Sequence, residues 1–180
     1  MIKIKRTHIP LRSDEIRLLA EDLRQKLDCR DIEKVAQKEK IILHRSPGPA
    51  KRGGFSYGVV EEDIEGVLRP MLAIVINTDH RTPAGERVPE SEIFWHEYYH
   101  LFYSPSANDW LIDASHYSLE QAGHAQEERR AQEFAAWLLV PDIHAGESPY
   151  ELAERCNVSS RLANLAIARA GSHSTRTAVE

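Results

Sequence analysis

Ile93-Phe94-Trp95-His96-Glu97-Tyr98-Tyr99-His100-Leu101-Phe102 is apolar on almost every helical face, and two histidines and a glutamate interrupt it. Pro89 suits a first helical turn, Glu90 and Glu92 suit the positive end of a helix dipole, and Ser104-Pro105 stops the run. A helix from Pro89 to about Tyr103 is therefore predicted. A helix apolar all round belongs at the centre of a fold. Burying two imidazoles and a carboxylate there is costly unless they are paired or bind a metal.

On that helix His96 and His100 are four residues apart and share one face, so both imidazoles can reach one metal ion. Glu97 is turned about 100 degrees from His96. It lies beside the metal and suits a general base acting on a water that the metal activates. Zinc is the natural ion for two imidazoles and a carboxylate, one per chain. Chance alone gives this pattern in about one comparable sequence in twenty-five, so the apolar context decides in favour of a metal.

The flanking elements follow from periodicity and breakers. Residues 14–27 form an amphipathic helix on Ile16, Leu19, Ala20, Leu23 and Leu27, with Ser13 as expected cap. Asp31 caps a second helix carrying Ile32, Val35 and Ala36, and Ile41 to Leu43 is a short strand. Phe55 to Val60 and Met71 to Ile76 are two further strands, with Glu61 to Gly66 as the connection. The second is apolar on both faces and is expected to be central. Asn77 to Val88 reads as a loop. Residues 104–124 are a mixed connection, Gln126 to Val140 is a helix stopped by Pro141, and 150–170 hold one or two short helices. The tail from Gly171 is expected to be disordered. The expected organisation is a single α+β domain over residues 1–170, a small sheet packed on the central helix with additional C-terminal helices.

A third protein ligand must come from elsewhere. Asp113, His116, His124, Glu127, Glu128 and Glu133 are the downstream candidates. The helix over 126–140 buries a stripe of Ala131, Phe134, Ala135 and Leu138, and Glu133 points away from it. Glu127 and Glu128 lie on its two flanks, and periodicity leaves both open. An oxyanion donor is expected, with Tyr117, His116 and His124 as weak candidates.

Across residues 28–165 the order of motifs resembles the ImmA/IrrE metallo-endopeptidases. Asp31 to Ala36 followed by Lys40 to Leu43 is similar to the opening helix and first strand of that family. Ala73-Ile74-Val75-Ile76-Asn77 is similar to its strand before the metal helix, and Glu92 to Leu101 to the metal helix itself. Glu128-Arg129-Arg130-Ala131-Gln132-Glu133-Phe134-Ala135-Ala136-Trp137-Leu138-Leu139-Val140-Pro141 is similar to its second motif. The resemblance implies a zincin-like fold, His96, His100 and Glu128 as ligands, and Glu97 as catalytic residue. It also implies a protein substrate, often a helix-turn-helix repressor. Gln132 stands where the family has Asn, Val140 where it has Met, and Tyr98-Tyr99 where a small pair is usual. The tyrosines are expected to alter the cleft or the substrate range.

Composition bounds the alternatives. The chain has 180 residues, 42% hydrophobic and 28% charged, which suits a soluble globular protein. Cys29 and Cys156 stand far apart, so no disulfide framework is expected and a cytoplasmic setting fits. The first residues carry no apolar run, so no secretory signal is expected, and no stretch is long enough to span a membrane. Residues 1–52 hold 14 Lys and Arg against 8 Asp and Glu, while the rest is strongly acidic. This reads as a solvated basic face, and no nucleic-acid partner is expected. The segment Tyr150 to Leu165 has a helix-turn-helix cadence. DNA reading there would rest on Arg161 and Arg169, so a packing hairpin is the expected role. Two rivals to a peptidase are a regulatory binding module that keeps its metal site and a DNA-binding regulator. The intact Glu97 argues against the first, because a structural metal needs no base.

Overall fold

The computed structural model describes residues 11–47, 53–62, 68–103 and 124–174. Among them are six helices and three strands, a mixed α and β architecture. Helix α1 spans Ser13–Lys26 and α2 Ile32–Glu39. Strands β1 (Ile41–Ser46), β2 (Gly54–Glu62) and β3 (Leu68–Asn77) follow. Helices α3 (Glu90–Phe102), α4 (His124–Leu139), α5 (Pro149–Cys156) and α6 (Ser160–Ser174) complete the order.

The sheet has the order β1-β3-β2, so the strand expected to be central is central. β1 pairs with β3 in parallel, Ile41 opposite Leu72, and β2 pairs with it antiparallel, Gly54 opposite Ile76. The hairpin runs further than hydrophobicity suggests. Glu61 and Glu62, expected in the connection, are paired with Arg69 and Leu68. Backbone hydrogen bonding extends a ladder past the last apolar residue once register is set.

Local signals account for most boundaries. Asp31 caps α2 by accepting from the Lys34 amide at 3.1 Å. Lys40, at φ 56°, ends α2 in the left-handed conformation, and Asn157, at φ 51°, ends α5 the same way. Ser148 and Glu151 form a reciprocal box at the start of α5. At α1 the expected cap is displaced by one residue. Arg12 occupies the cap and its amide donates to Glu15, while Ser13 lies inside the helix. The Ser13 hydroxyl is drawn to a carboxylate on α4 instead.

α3 is the centre of the fold. Phe94, Trp95 and Tyr99 are fully buried, and the helix packs against β2, β3 and α4. Trp95 also donates its indole N–H to the Cys29 carbonyl at 2.8 Å, which satisfies its polar atom inside the core. Both cysteines are free and buried. α6 runs through Gly171 to Ser174, beyond the point where the disordered tail was expected to begin. Residues 175–180 lie outside the described residues. No helix among the described residues is long and apolar enough to cross a membrane.

Candidate metal centre

α3 and α4 together assemble the site. One turn of α3 separates His96 from His100, whose Nε2 atoms lie 3.2 Å apart. From α4, Glu128 places Oε2 at 3.0 Å from His96 Nε2 and Oε1 at 3.2 Å from His100 Nε2. These three side chains form a group able to hold a metal ion. Glu127, its neighbour in sequence, pairs instead with Arg130. The two carboxylates that periodicity left open are thereby separated: of the two, Glu128 is the one with oxygens at 3.0 and 3.2 Å from the histidine nitrogens.

The two ring nitrogens are spaced for a shared cation. Ring nitrogens at about 2.0–2.1 Å from a tetrahedral zinc sit about 3.3 Å from each other. The observed Nε2–Nε2 separation of 3.2 Å is close to that spacing, and Glu128 turns one carboxylate oxygen to each ring. If both imidazoles donate to Glu128, the approach of the two ring nitrogens is left without a hydrogen bond. A cation among the three side chains would take a lone pair from each.

The local field has the same sense. Burial disfavours a charge on His100, but its hydrogen bond to Glu128 and the negative field of Glu97, Glu128 and Glu127 outweigh that and raise its pKa. Burial would also raise the pKa of Glu128, yet the imidazoles of His100 and His96 hold it far below the usual carboxylate range.

Glu97 stands beside this triangle and is 7% exposed. Burial raises its pKa, and the charge of Glu128 adds to the effect, while His96, His100 and the Ser56 hydroxyl oppose it. Its position depends on β2. A Cβ on Gly54 would lie 2.5 Å from the Val75 carbonyl oxygen, 2.8 Å from Ile93 Cγ2 and 3.3 Å from Glu97 Cγ. Glycine at 54 therefore lets the strand lie against α3, and Ser56 then reaches Glu97.

A cleft of about 1260 Å³ opens over these groups. Its lining includes Gly54, Ser56, His80 and Arg81, and Arg161 and Leu165 of α6. Glu92, one turn before His96, fixes the α6 wall. Its carboxylate accepts from the Ser159 amide at 2.8 Å and from the Ser159 hydroxyl at 2.9 Å. Glu86 accepts from the Ser160 amide at 2.9 Å. The start of α6 is thus tied to the metal helix.

Several expectations need correction or fall outside the description. Glu133 does not point away from the interior; it is buried, but toward α1 and α6. Ser13 donates to it at 3.1 Å and Arg169 Nη1 lies 2.6 Å from its Oε1. The neighbouring helices cover a flank that α4 alone shows as solvent. Tyr98 and Tyr99 are buried in the aromatic core and are not among the cleft-lining residues, so they do not shape it directly. Gln132 does line the cleft. Asp113, His116 and Tyr117 lie outside the described residues, as does the side chain of His124. Leu152, Val158, Leu162 and Ala163 of the α5–α6 hairpin join the core.

The sequence reading missed Gly54 and Ser56, took Glu92 for a helix-dipole residue, and took Arg161 for a candidate DNA contact. Only Glu92 carried a local signal, since it lies four residues before His96 on the same helical face. No protein-family model matches the chain, and no curated protein matches it.

Proposed function

We propose that this chain is a zinc-dependent endopeptidase of zincin-like build, similar to the ImmA/IrrE group and acting in the cytoplasm on a regulatory protein such as a helix-turn-helix repressor. The observation that carries this reading is Glu97. A structural metal site uses its ligands and has no need of a second buried carboxylate outside the ligand triangle and within the same open cleft.

His96, His100 and Glu128 would hold the ion. A bound zinc supplies a Lewis acid and brings the pKa of water toward neutrality. Glu97 accepts the proton of the water that adds to the peptide carbonyl carbon, and returns it to the nitrogen as the C–N bond breaks. Its raised pKa supports that role, because a general base works best with a pKa nearer the working pH. Ser56 and the close approach at Gly54 hold the carboxylate in place. A cleft of about 1260 Å³ has room for a stretch of extended peptide.

Binding of DNA by the C-terminal hairpin finds less support. Arg169 is engaged by Glu133, and Arg161 lines the cleft. The direct test is Glu97→Gln, assayed by elemental analysis and by cleavage of a co-expressed repressor. We expect about one zinc per chain to be retained and cleavage to fall at least about a hundredfold. A variant that still cleaves at the wild-type rate would refute the mechanism.

A further inference from the structure

Arg161 occupies an unusual place for a cation. It lies in the first turn of α6, where the helix dipole favours anions and opposes positive charge. Two carboxylates stand near that terminus, but both are committed elsewhere. Glu92 accepts from Ser159, and Glu86 accepts from Ser160. Arg161 acts on Glu92 through its field, and among the described residues no hydrogen bond or ion pair engages its guanidinium.

The other arginines nearby are occupied. Arg169, two turns further along α6, pairs with Glu133. Arg81, which also lines the cleft, donates to the Gly85 carbonyl at 3.0 Å. Arg161 is exposed, and it shares the cleft wall with Asn164 and Leu165, its neighbours at helical spacing. It therefore offers an open planar fork of donors in the cleft that holds Glu97 and the metal group. The helix dipole opposes its charge, and the carboxylate that its field reaches, Glu92, is already taken by Ser159.

We infer that Arg161 is a specificity-determining residue that binds a carboxylate of the peptide in the cleft. The guanidinium fork matches a carboxylate in two parallel hydrogen bonds, which a lysine cannot reproduce. The carboxylate belongs to an Asp or Glu side chain or to a peptide C-terminus; the chemistry recognised is the same. A preference set by α6 is told from one set by a bound zinc or by Arg81, which also lines the cleft, by its dependence on Arg161. This inference rests on the reading that the cleft takes a peptide.

The test measures binding and does not depend on turnover. Zinc-loaded Glu97→Gln protein is titrated, by fluorescence polarisation, with three labelled eight-residue peptide mixtures that are otherwise uncharged. The first carries an internal Asp and an amidated end, the second an Asn and an amidated end, the third an Asn and a free C-terminal carboxylate. At least one carboxylate mixture should bind about tenfold more tightly than the amide mixture, the scale of a charge-assisted hydrogen bond. Whichever of the two binds more tightly identifies the source of the carboxylate. Adding Arg161→Gln should bring the ratio to about one, Arg161→Lys should retain part of it, and Arg161→Glu should invert it.

Equal binding of all three mixtures, no binding by any, or a preference that survives Arg161→Gln would overturn the inference. Failure of the peptidase reading is separate. It would appear as cleavage persisting in Glu97→Gln and would leave these ratios untouched.

Discussion

Glu128 and Glu133 lie five residues apart on α4, and both turn inward, but their surroundings differ in kind. Around Glu133 the chemistry is closed: one carboxylate, one guanidinium from Arg169 and one hydroxyl from Ser13. Around Glu128 it is open: two imidazoles meet three carboxylates, counting Glu97 and Glu127, and the guanidinium of Arg130 pairs with Glu127. A closed pair joins elements and asks for nothing more. Two imidazoles and a carboxylate in a cleft form a group able to hold a metal ion. The same helix thus carries a clasp for the fold and one side of a candidate metal site.

The largest expected effect on stability lies at the clasp. Arg169→Met leaves the Glu133 carboxylate buried and unpaired, and should destabilise the protein by about 3 kcal/mol in denaturant unfolding. Zinc binding should be unchanged. Replacing both residues with apolar ones of similar volume should recover most of that loss, because both desolvation costs disappear together. Loss of zinc without loss of stability in Arg169→Met would break the distinction between the two ends of α4.

At the open end a small substitution tests position. Gly54→Ala places a methyl group against the Val75 carbonyl and Ile93, and should cost about 2 kcal/mol by overpacking. Activity should fall more than zinc affinity does, since Glu97 is displaced while His96, His100 and Glu128 lie further from the clash. Equal losses would mean that β2 supports the ligands as much as the base.

These two ends were unequally legible in the sequence. The α3 histidines were plain because their spacing, their apolar setting and the Pro105 stop are all local. The Asp31 cap and the central place of β3 were legible for the same reason. Periodicity on α4 could not choose between Glu127 and Glu128, because the choice depends on Arg130 and on where α3 lies. It misread Glu133, whose partners are 120 residues before it on α1 and on α6. Gly54 and Ser56 had no signal at all. Their importance comes from the approach of a strand to a helix some forty residues later, which exists only in three dimensions. Likewise the C-terminal hairpin shows its turn in sequence, but not that its first turn is tied to Glu92 of the metal helix.

The smallest effect concerns a third closed pair, at the surface. Glu147 accepts from Arg155 at 2.6 Å, and that pairing together with the His144 amide lowers its pKa to about 2. A depressed carboxylate pKa contributes stability above the unfolded value near 4.5, and that contribution is lost as pH falls toward 2. Glu147→Gln should therefore flatten the acid limb of a thermal unfolding profile between those values and leave the profile at neutral pH almost parallel to wild type. An unchanged acid limb would show that the pair is fully screened by solvent.

Zinc competition titration of Glu127→Gln beside Glu128→Gln measures directly which carboxylate completes the metal group. We expect Glu127→Gln to bind about one zinc with affinity within about tenfold of wild type, as for a residue outside the ligand set. Glu128→Gln should lose at least about a hundredfold, because it removes a ligand of the triangle. If Glu128→Gln holds zinc as tightly as wild type, or if Glu127→Gln is the variant that loses it, the metal centre described here is wrong.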